Sequence, residues 1–340
     1  MLPPSLAEPT MGFYRLLLAY LVVSDHAAGA LIFGFYPGAI AVVSFFLLSG
    51  YVMTALIDRH YAEPRRIGAF YLDRAMRLYP QFLFYSLATL LAASAFGLTH
   101  RWLAGPPSLT SDLLQLTILP LNFGWAFHKA MLIPQAWSLG LEGFFYLLFP
   151  FVLIGNRRLP FALASLVVFA AAYFGRLDQE MFSYRMLPGV LFIFLLGSFI
   201  RRREPGLGSA PLAVALALAL AALAASPWVW GRHVCVQDVL AGLVIGLPVV
   251  WLLARFKISG RLDGLAGDLS YGVFLNHNLL LPLAAQLLPG ASPWLTLAAL
   301  IPISTAASYA TFRWIEAPTL ALRRTLRTRA PAAELATAAA

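Results

Sequence analysis

Charged residues are scarce in this chain. Asp, Glu, Lys and Arg together make up 11% of the 340 residues, whereas a soluble domain carries about 25%. Hydrophobic residues account for 60%, which is more apolar surface than a soluble fold of this length can hide, so we expect lipid to be the solvent. Cysteine is almost absent. The single Cys235 excludes an intramolecular disulfide and every CxxC metal or redox motif.

Acidic residues are also few, with 15 Asp and Glu against 24 Lys and Arg. In a soluble protein the net charge of +9 would raise the question of nucleic acid, but cytoplasmic loops of membrane proteins also collect Lys and Arg. A helix that spans a bilayer needs roughly 20 mostly apolar residues. Ten apolar runs are candidates: 12–31, 38–57, 79–98, 138–155, 160–175, 186–200, 211–226, 234–254, 268–288 and 294–316.

The distribution of positive charge tests this count. If the N-terminus lies inside, 17 of the 24 Lys and Arg residues fall in inner segments and 5 in outer loops. The inner segments are 58–78, 156–159, 201–210, 255–267 and the tail from 317. We therefore predict an all-α integral membrane protein with about ten transmembrane helices and both termini in the cytoplasm. The same asymmetry explains the net charge without nucleic acid.

The first apolar run has an alternative interpretation as a cleaved signal peptide, because Ala28-Gly29-Ala30 resembles a cleavage site. Glu8 precedes the run, and Asp25 and His26 interrupt it, so we interpret it as a retained helix. In the loop 99–137, the apolar stretch 113–121 is too short to span and predicts an interfacial or re-entrant piece.

We predict a single membrane domain over residues 1–330. The Ala-rich residues 331–340 are expected to be a disordered tail.

Ionisable side chains inside a bilayer cost roughly 2.5–3.5 kcal/mol on insertion scales, so each is a functional hypothesis. The candidates are Arg15, Asp25, His26, Glu142, His277, Arg313 and Glu316. Arg15 and His26 are eleven positions apart, which places them on nearly one helix face and roughly 16 Å apart along the axis. The alternative is that Arg15 snorkels to the headgroups and His26 caps the helix end.

Three other features bear on chemistry. Ser24, Asp25 and His26 cannot form a catalytic triad, because consecutive helical residues point about 100° apart. Arg74 and Arg77 share a helix face, which suits bidentate phosphate binding or an ordinary positive flank. Glu142 lies at the predicted depth of His26 and is its candidate partner, or it forms an ion pair for stability.

Several segments occur in a recognisable order. They are Arg15-x10-His26; Phe45-Phe46-Leu47-Leu48-Ser49-Gly50-Tyr51; Arg74 and Arg77 before Tyr79-Pro80; Trp137-Ser138-Leu139 with Glu142 and Phe145-Tyr146-Leu147; Ser270-Tyr271 with His277; and Ile315-Glu316-Ala317-Pro318. Together they resemble the acyltransferase-3 family of membrane O-acyltransferases over residues 11–318. The chain departs from the family pattern at Gly143 and Phe144, at Asn276 and Asn278, and at Ala41.

The resemblance implies transfer of an acyl group, which we expect to be acetyl, from a cytoplasmic acyl-CoA to a hydroxyl of a glycan, glycolipid or other carbohydrate acceptor. It implies a bacterial cytoplasmic (inner) membrane, acyl-CoA as co-substrate, and neither a bound cofactor nor a metal. The expected roles are donor binding by Arg15, Arg74 and Arg77, general base for His26, and orientation of His26 or stabilisation of its imidazolium by Glu142. Secondary candidates are Asp25, His277 and Glu316.

Two other classes remain open. A proton-coupled transporter or glycan exporter would also use intramembrane Arg, His and Glu, although no inverted repeat or pair of broken helices is visible. A structural membrane scaffold would explain neither the shared face of Arg15 and His26 nor the ordered motifs.

Overall fold

The computed structural model of the protein describes residues 11–29, 31–97, 109–127, 131–231, 233–256, 260–320 and 322–323. The expected tail 331–340 lies outside the described residues. The prediction of an all-α fold is confirmed: the described part of the chain contains no β-strand, only isolated bridges such as Ile32 with Phe35.

Ten long helices and one short one carry the fold within these ranges. They are α1 (Gly12–Ala28), α2 (Pro37–His60), α3 (Ile67–Phe96), the short α4 (Leu109–Gln115), α5 (Trp137–Ile154), α6 (Arg158–Tyr173), α7 (Leu187–Arg201), α8 (Ala210–Trp230), α9 (Cys235–Phe256), α10 (Arg261–Leu287) and α11 (Pro293–Thr311). Each predicted run overlaps one long helix. Two helices begin more than one turn before the predicted run: α3 starts at Ile67 and α10 at Arg261.

Seven helical segments among the described residues are long and apolar enough to cross a membrane: Pro37–His60, Pro64–Phe96, Pro134–Ile154, Met181–Arg201, Ala210–Trp230, Cys235–Phe256 and Pro293–Leu320. The other three predicted spans fall on α1 with 17 residues, α6 with 16, and α10. The sequence of α10 is less apolar than those of the seven segments because its first turns carry Arg261, Asp263 and Asp268.

Helix α8 presents its apolar side chains outward. Only Leu212, Ala219 and Ser226 are buried along its 21 residues, while Trp228 is 85% exposed. Apolar side chains exposed over a whole helix are stable in lipid hydrocarbon. The helix can lie there because its backbone hydrogen bonds are all made within the helix. This surface therefore supports a membrane environment.

Helix α2 forms the centre of the bundle and packs against α1, α7 and α9. It approaches α7 closely at two glycines, each of which faces a backbone carbonyl of the other helix. A Cβ added at Gly50 would lie 1.7 Å from the carbonyl oxygen of Phe194, and one at Gly197 would lie 1.9 Å from that of Leu47. Small residues at such crossings let backbones approach and are typical of helix contacts in membranes.

Helix α1 is fixed at both ends, and this positions Arg15 and His26. At its start, the backbone N–H of Phe13 donates to Asp263 Oδ1 at 2.9 Å, which satisfies one of the orphan donors of a helix N-terminus. At its end, Gly29 adopts a φ of 59°, a left-handed conformation that suits glycine. The helix packs mainly on α10 and α2.

The predicted re-entrant stretch 113–121 begins in α4 and runs into the 3-10 segment Leu119–Phe127. Ile118 and Leu121 are buried, and the 3-10 segment packs on α5. A re-entrant piece requires that protein bury its non-helical backbone, and the burial of Ile118 and Leu121 meets this requirement.

Candidate functional site

A cavity of about 170 Å³ lies between α1, α2, α3, α5 and α10. Four of the five principal residues predicted from the sequence line it: Arg15, Arg74, Arg77 and Glu142. Along α5 the cavity extends from Ser138 to Tyr146, eight residues or about 12 Å of helix. It is therefore elongated along α5.

The two ends of the cavity differ in chemistry. Along α2 the lining runs from Phe45 to Met53, and Arg74 lies against Met53 at one end of this run. Phe45 at the other end faces Phe274, with their ring centroids 6.4 Å apart. Arg74 and the Phe45–Phe274 pair thus lie toward opposite ends of one cavity.

Glu142 accepts hydrogen bonds from two hydroxyl groups. Ser49 Oγ on α2 and Tyr146 Oη on α5 both donate to its Oε1, the latter at 2.6 Å. We predicted His26 as the partner of this carboxylate. The structure instead gives Glu142 these two hydroxyls, and among the described residues no cation lies within ion-pair distance of it. The carboxylate thus faces the cavity with its charge uncompensated by a bonded cation.

Arg77 forms an ion pair with Glu316. Glu316 is 1% exposed and ends the π-helical turn Phe312–Glu316 that follows α11; such wide turns are rare and occur often at functional sites. The Arg77 guanidinium also lies over the Tyr271 ring, 5.0 Å from its centroid. Glu316, a secondary candidate in the sequence, is thereby brought to the donor-site arginines.

Arg74 shares an acidic partner with a residue that sequence analysis missed. Its guanidinium pairs with the neighbouring Asp73, which is fully buried, and Arg323 also donates to Asp73 at 3.2 and 3.4 Å. Burial, together with the charge of Arg74, lowers the pKa of Arg323 to about 10, so Arg323 is still cationic at neutral pH. The sequence feature that could have indicated this contact is Asp73, an acidic residue within a segment rich in arginine.

Arg15 differs from these two arginines. Within the part of the chain that the structure describes, its guanidinium forms no hydrogen bond and no ion pair. Arg77, Glu142 and Asp268 are close enough to interact with it electrostatically. Arg15 is therefore the cavity cation whose hydrogen-bonding capacity is open to a ligand.

His26 lies outside the cavity lining and meets a second histidine. Its Nδ1 is 2.8 Å from Nε2 of His277, which is fully buried. The ring of Phe274, at the aromatic end of the cavity, is 6.3 Å from the His277 ring. The histidine pair therefore adjoins the end of the cavity away from Arg74.

Asp25 precedes His26 on α1. Its carboxylate lies against the start of α2, where a Cβ added at Gly38 would be 2.5 Å from Oδ2. Among the described residues, no three His, Cys, Asp or Glu side chains gather in a way that could hold a metal ion.

Three comparisons with known proteins bear on this arrangement. A family model described as an acyltransferase domain matches residues 12–313. The chain is 28% identical over 321 residues to the exopolysaccharide production protein ExoZ of Rhizobium meliloti (strain 1021), covering 90% of this chain and 96% of that protein. It is 31% identical over 156 residues to an uncharacterized protein of Aquifex aeolicus (strain VF5), covering 43% of this chain and 69% of that protein. No solved structure matches it.

Proposed function

Because the chain belongs to the acyltransferase-3 family, and is thus a membrane acyltransferase, we propose that it moves a short acyl group, acetyl, from a cytoplasmic acyl-CoA onto a hydroxyl of a polysaccharide or glycolipid. The relative ExoZ is named for exopolysaccharide production, which supports a carbohydrate acceptor. A transporter or exporter, the alternative from sequence, gains no support from the comparisons.

One observation carries the donor assignment: an elongated cavity that three guanidinium groups line, with the aromatic pair Phe45 and Phe274 at the end away from Arg74. Guanidinium groups suit phosphate oxygens, and a CoA thioester carries its phosphates and its acyl group at opposite ends of a thin, flexible arm. The cavity has a volume of about 170 Å³. We assign it to the thin arm and the small acyl group of the donor, with the nucleotide outside.

Arg15 is the donor-binding residue that this arrangement favours most. Arg74 and Arg77 are already paired with Asp73 and Glu316, whereas Arg15 has no such partner among the described residues. We assign to Arg15 the direct contact with a donor phosphate, and to Arg74 and Arg77 a supporting role in donor binding.

His26 is the proposed general base, since an imidazole titrates near the working pH. Its Nε2 takes the proton of the acceptor hydroxyl while the hydroxyl oxygen attacks the thioester carbonyl carbon. The tetrahedral intermediate then breaks its C–S bond. The departing CoA thiolate receives the proton from the His26 imidazolium, which leaves ester, free CoA and neutral His26.

Glu142 is assigned to the cavity and not to His26. Its uncompensated carboxylate lies in the same space as Arg15, so it sets the charge balance that the donor meets on entry.

The proposed topology has ten spans with both termini in the cytoplasm of a bacterial inner membrane. It would put Arg74, Arg77 and Arg323 near the cytoplasmic side, where acyl-CoA is present. It would put the pair of His26 and His277 in the outer half, where a glycan or glycolipid acceptor is within reach.

The test uses purified protein in nanodiscs, radiolabelled acetyl-CoA and a panel of glycans and glycolipids. We expect label to become covalently attached to one acceptor class, and His26→Gln to lose about 10²–10⁴-fold in turnover. Gln keeps hydrogen-bonding capacity but cannot accept a proton near neutral pH. The matched control is His60→Gln at the end of α2, outside the cavity lining. Near-normal turnover of folded His26→Gln would exclude the assignment as base.

A further inference from the structure

The contacts of His277 determine where its proton lies. Its Nδ1 is 3.3 Å from the backbone carbonyl oxygen of Val273. A carbonyl oxygen can only accept a hydrogen bond, so Nδ1 of His277 must carry the hydrogen. In the neutral ring the lone pair then lies on Nε2.

The tautomer of His26 follows from that of His277. Nε2 of His277 lies 2.8 Å from Nδ1 of His26 and can only accept, so Nδ1 of His26 must donate. The lone pair of His26 is therefore on Nε2. Two linked hydrogen bonds, which start at a backbone carbonyl of α10, thus determine which nitrogen of His26 can take up a proton.

The turn of α10 that carries His277 is held from a second direction. Gln135, in the turn before α5, donates from Nε2 to the carbonyl oxygens of Phe274 and Leu275 at 3.0 and 2.9 Å. Asn278 donates back to Gln135 Oε1 at 2.6 Å. Gln135 and His277 are both buried, so the position of the His277 ring is set by packing and hydrogen bonds together.

We propose that His277 is a positioning residue that selects the Nδ1–H tautomer of His26 and directs Nε2 of His26 toward the acceptor hydroxyl. The inference rests on the proposed function, in which His26 is the base. A neutral imidazole in this place orients its partner without burying a further charge, which would be costly at this depth. When His26 becomes an imidazolium, its hydrogen bond to His277 becomes charge-assisted and strengthens.

The first test reads the tautomers directly and needs no activity. The chain has six histidines, so selective ¹⁵N and ¹³C labelling of histidine in nanodiscs gives few signals. His26→Gln and His277→Gln assign the two of interest. We expect both rings to be Nδ1–H tautomers at pH 8. A His26 ring protonated on Nε2 in the neutral state would overturn the proposal.

The second test separates positioning from packing through kcat and KM. His277→Ala should lower kcat about 10–100-fold, the range seen for residues that orient metal-ligating imidazoles, with the KM for acetyl-CoA unchanged. His277→Gln should restore most of the lost kcat, because its side-chain oxygen can accept from Nδ1 of His26. Thermal unfolding of each variant measures folding, and His233→Gln on another surface is the control.

The outcomes distinguish the two ideas. A wild-type protein that transfers no acyl group but shows both Nδ1–H tautomers would refute the proposed function and leave the geometry intact. Equal loss of kcat in His277→Ala and His277→Gln, in step with their thermal stabilities, would make His277 a packing residue and overturn the positioning role.

Discussion

The Arg77 guanidinium and the Glu316 carboxylate are paired across 239 positions of the sequence. Both side chains are largely buried, with 20% and 1% of the side chain exposed. Removing one member of such a pair leaves an uncompensated buried charge, which typically costs about 3–5 kcal/mol. The pair therefore has a structural role in addition to any role in donor binding.

We expect Arg77→Ala and Glu316→Ala each to lower the free energy of unfolding by about 3–5 kcal/mol. The double variant Arg77→Met/Glu316→Leu should be closer to wild type, because no lone charge remains. Denaturant unfolding in detergent measures all three. Additive losses in the double variant would show that the two side chains do not act as a pair.

Arg15→Ala should behave in the opposite way. It breaks no ion pair within the described residues, so folding should be kept. Donor affinity should fall about 10- to 150-fold, equivalent to about 1.5–3 kcal/mol for one charge-assisted hydrogen bond. Calorimetric titration with CoA measures this loss, and Arg313→Ala, at an exposed position after α11, is the matched control. Unchanged affinity would remove Arg15 from the donor site.

Phe274 is expected to limit the size of the acyl group, because it lines the aromatic end of the cavity beside His277. Phe274→Leu should raise the rate with propionyl-CoA relative to acetyl-CoA, while the Kd for CoA stays constant. Competition between the two thioesters in one assay gives the ratio of their kcat/KM values. An unaltered ratio would mean that the acyl group does not pass this ring.

Gly50 and Gly197 set the contact between α2 and α7. An added Cβ at either position would overlap a carbonyl oxygen of the other helix, so each Gly→Ala change should cost about 1–3 kcal/mol through overpacking. Gly68→Ala is the control, because nothing lies within 4 Å of its added Cβ. Equal melting temperatures for Gly50→Ala and Gly68→Ala would contradict the close approach.

The topology can be tested with the single cysteine of the chain. In a Cys235→Ser background, an impermeant maleimide should label Arg176→Cys, between α6 and α7, in intact cells. Ala62→Cys, between α2 and α3, should react only after permeabilisation. Both positions are exposed in the structure. The reverse pattern would invert the proposed orientation.

Sequence patterns predicted the positions of the helices and the residues that line the cavity. They did not predict which of these residues contact each other. Apolar runs locate helices because hydrophobicity is a local property of the sequence. The first turns of α10 were not predicted because Asp263 and Asp268 interrupt the apolar run there. Asp263 is tolerated there because it caps α1, a relation between residues 250 positions apart. The partners of Glu142 and the joining of Arg323 to Asp73 likewise depend on how helices cross. Helical periodicity predicts which face of a helix carries a residue, but it does not predict which residue of another helix that face contacts.

Helix α1 carries Arg15 and His26 with neither glycine nor proline between them, so roughly 16 Å of rigid helix fixes their separation. For the chemistry proposed above, this helix acts as a ruler. Acetyl phosphate holds its anion and its acyl group on adjoining atoms and cannot contact Arg15 and reach His26 at once. A CoA thioester holds them a full arm apart. The protein would thus discriminate among activated acyl donors by their reach as well as by their charge.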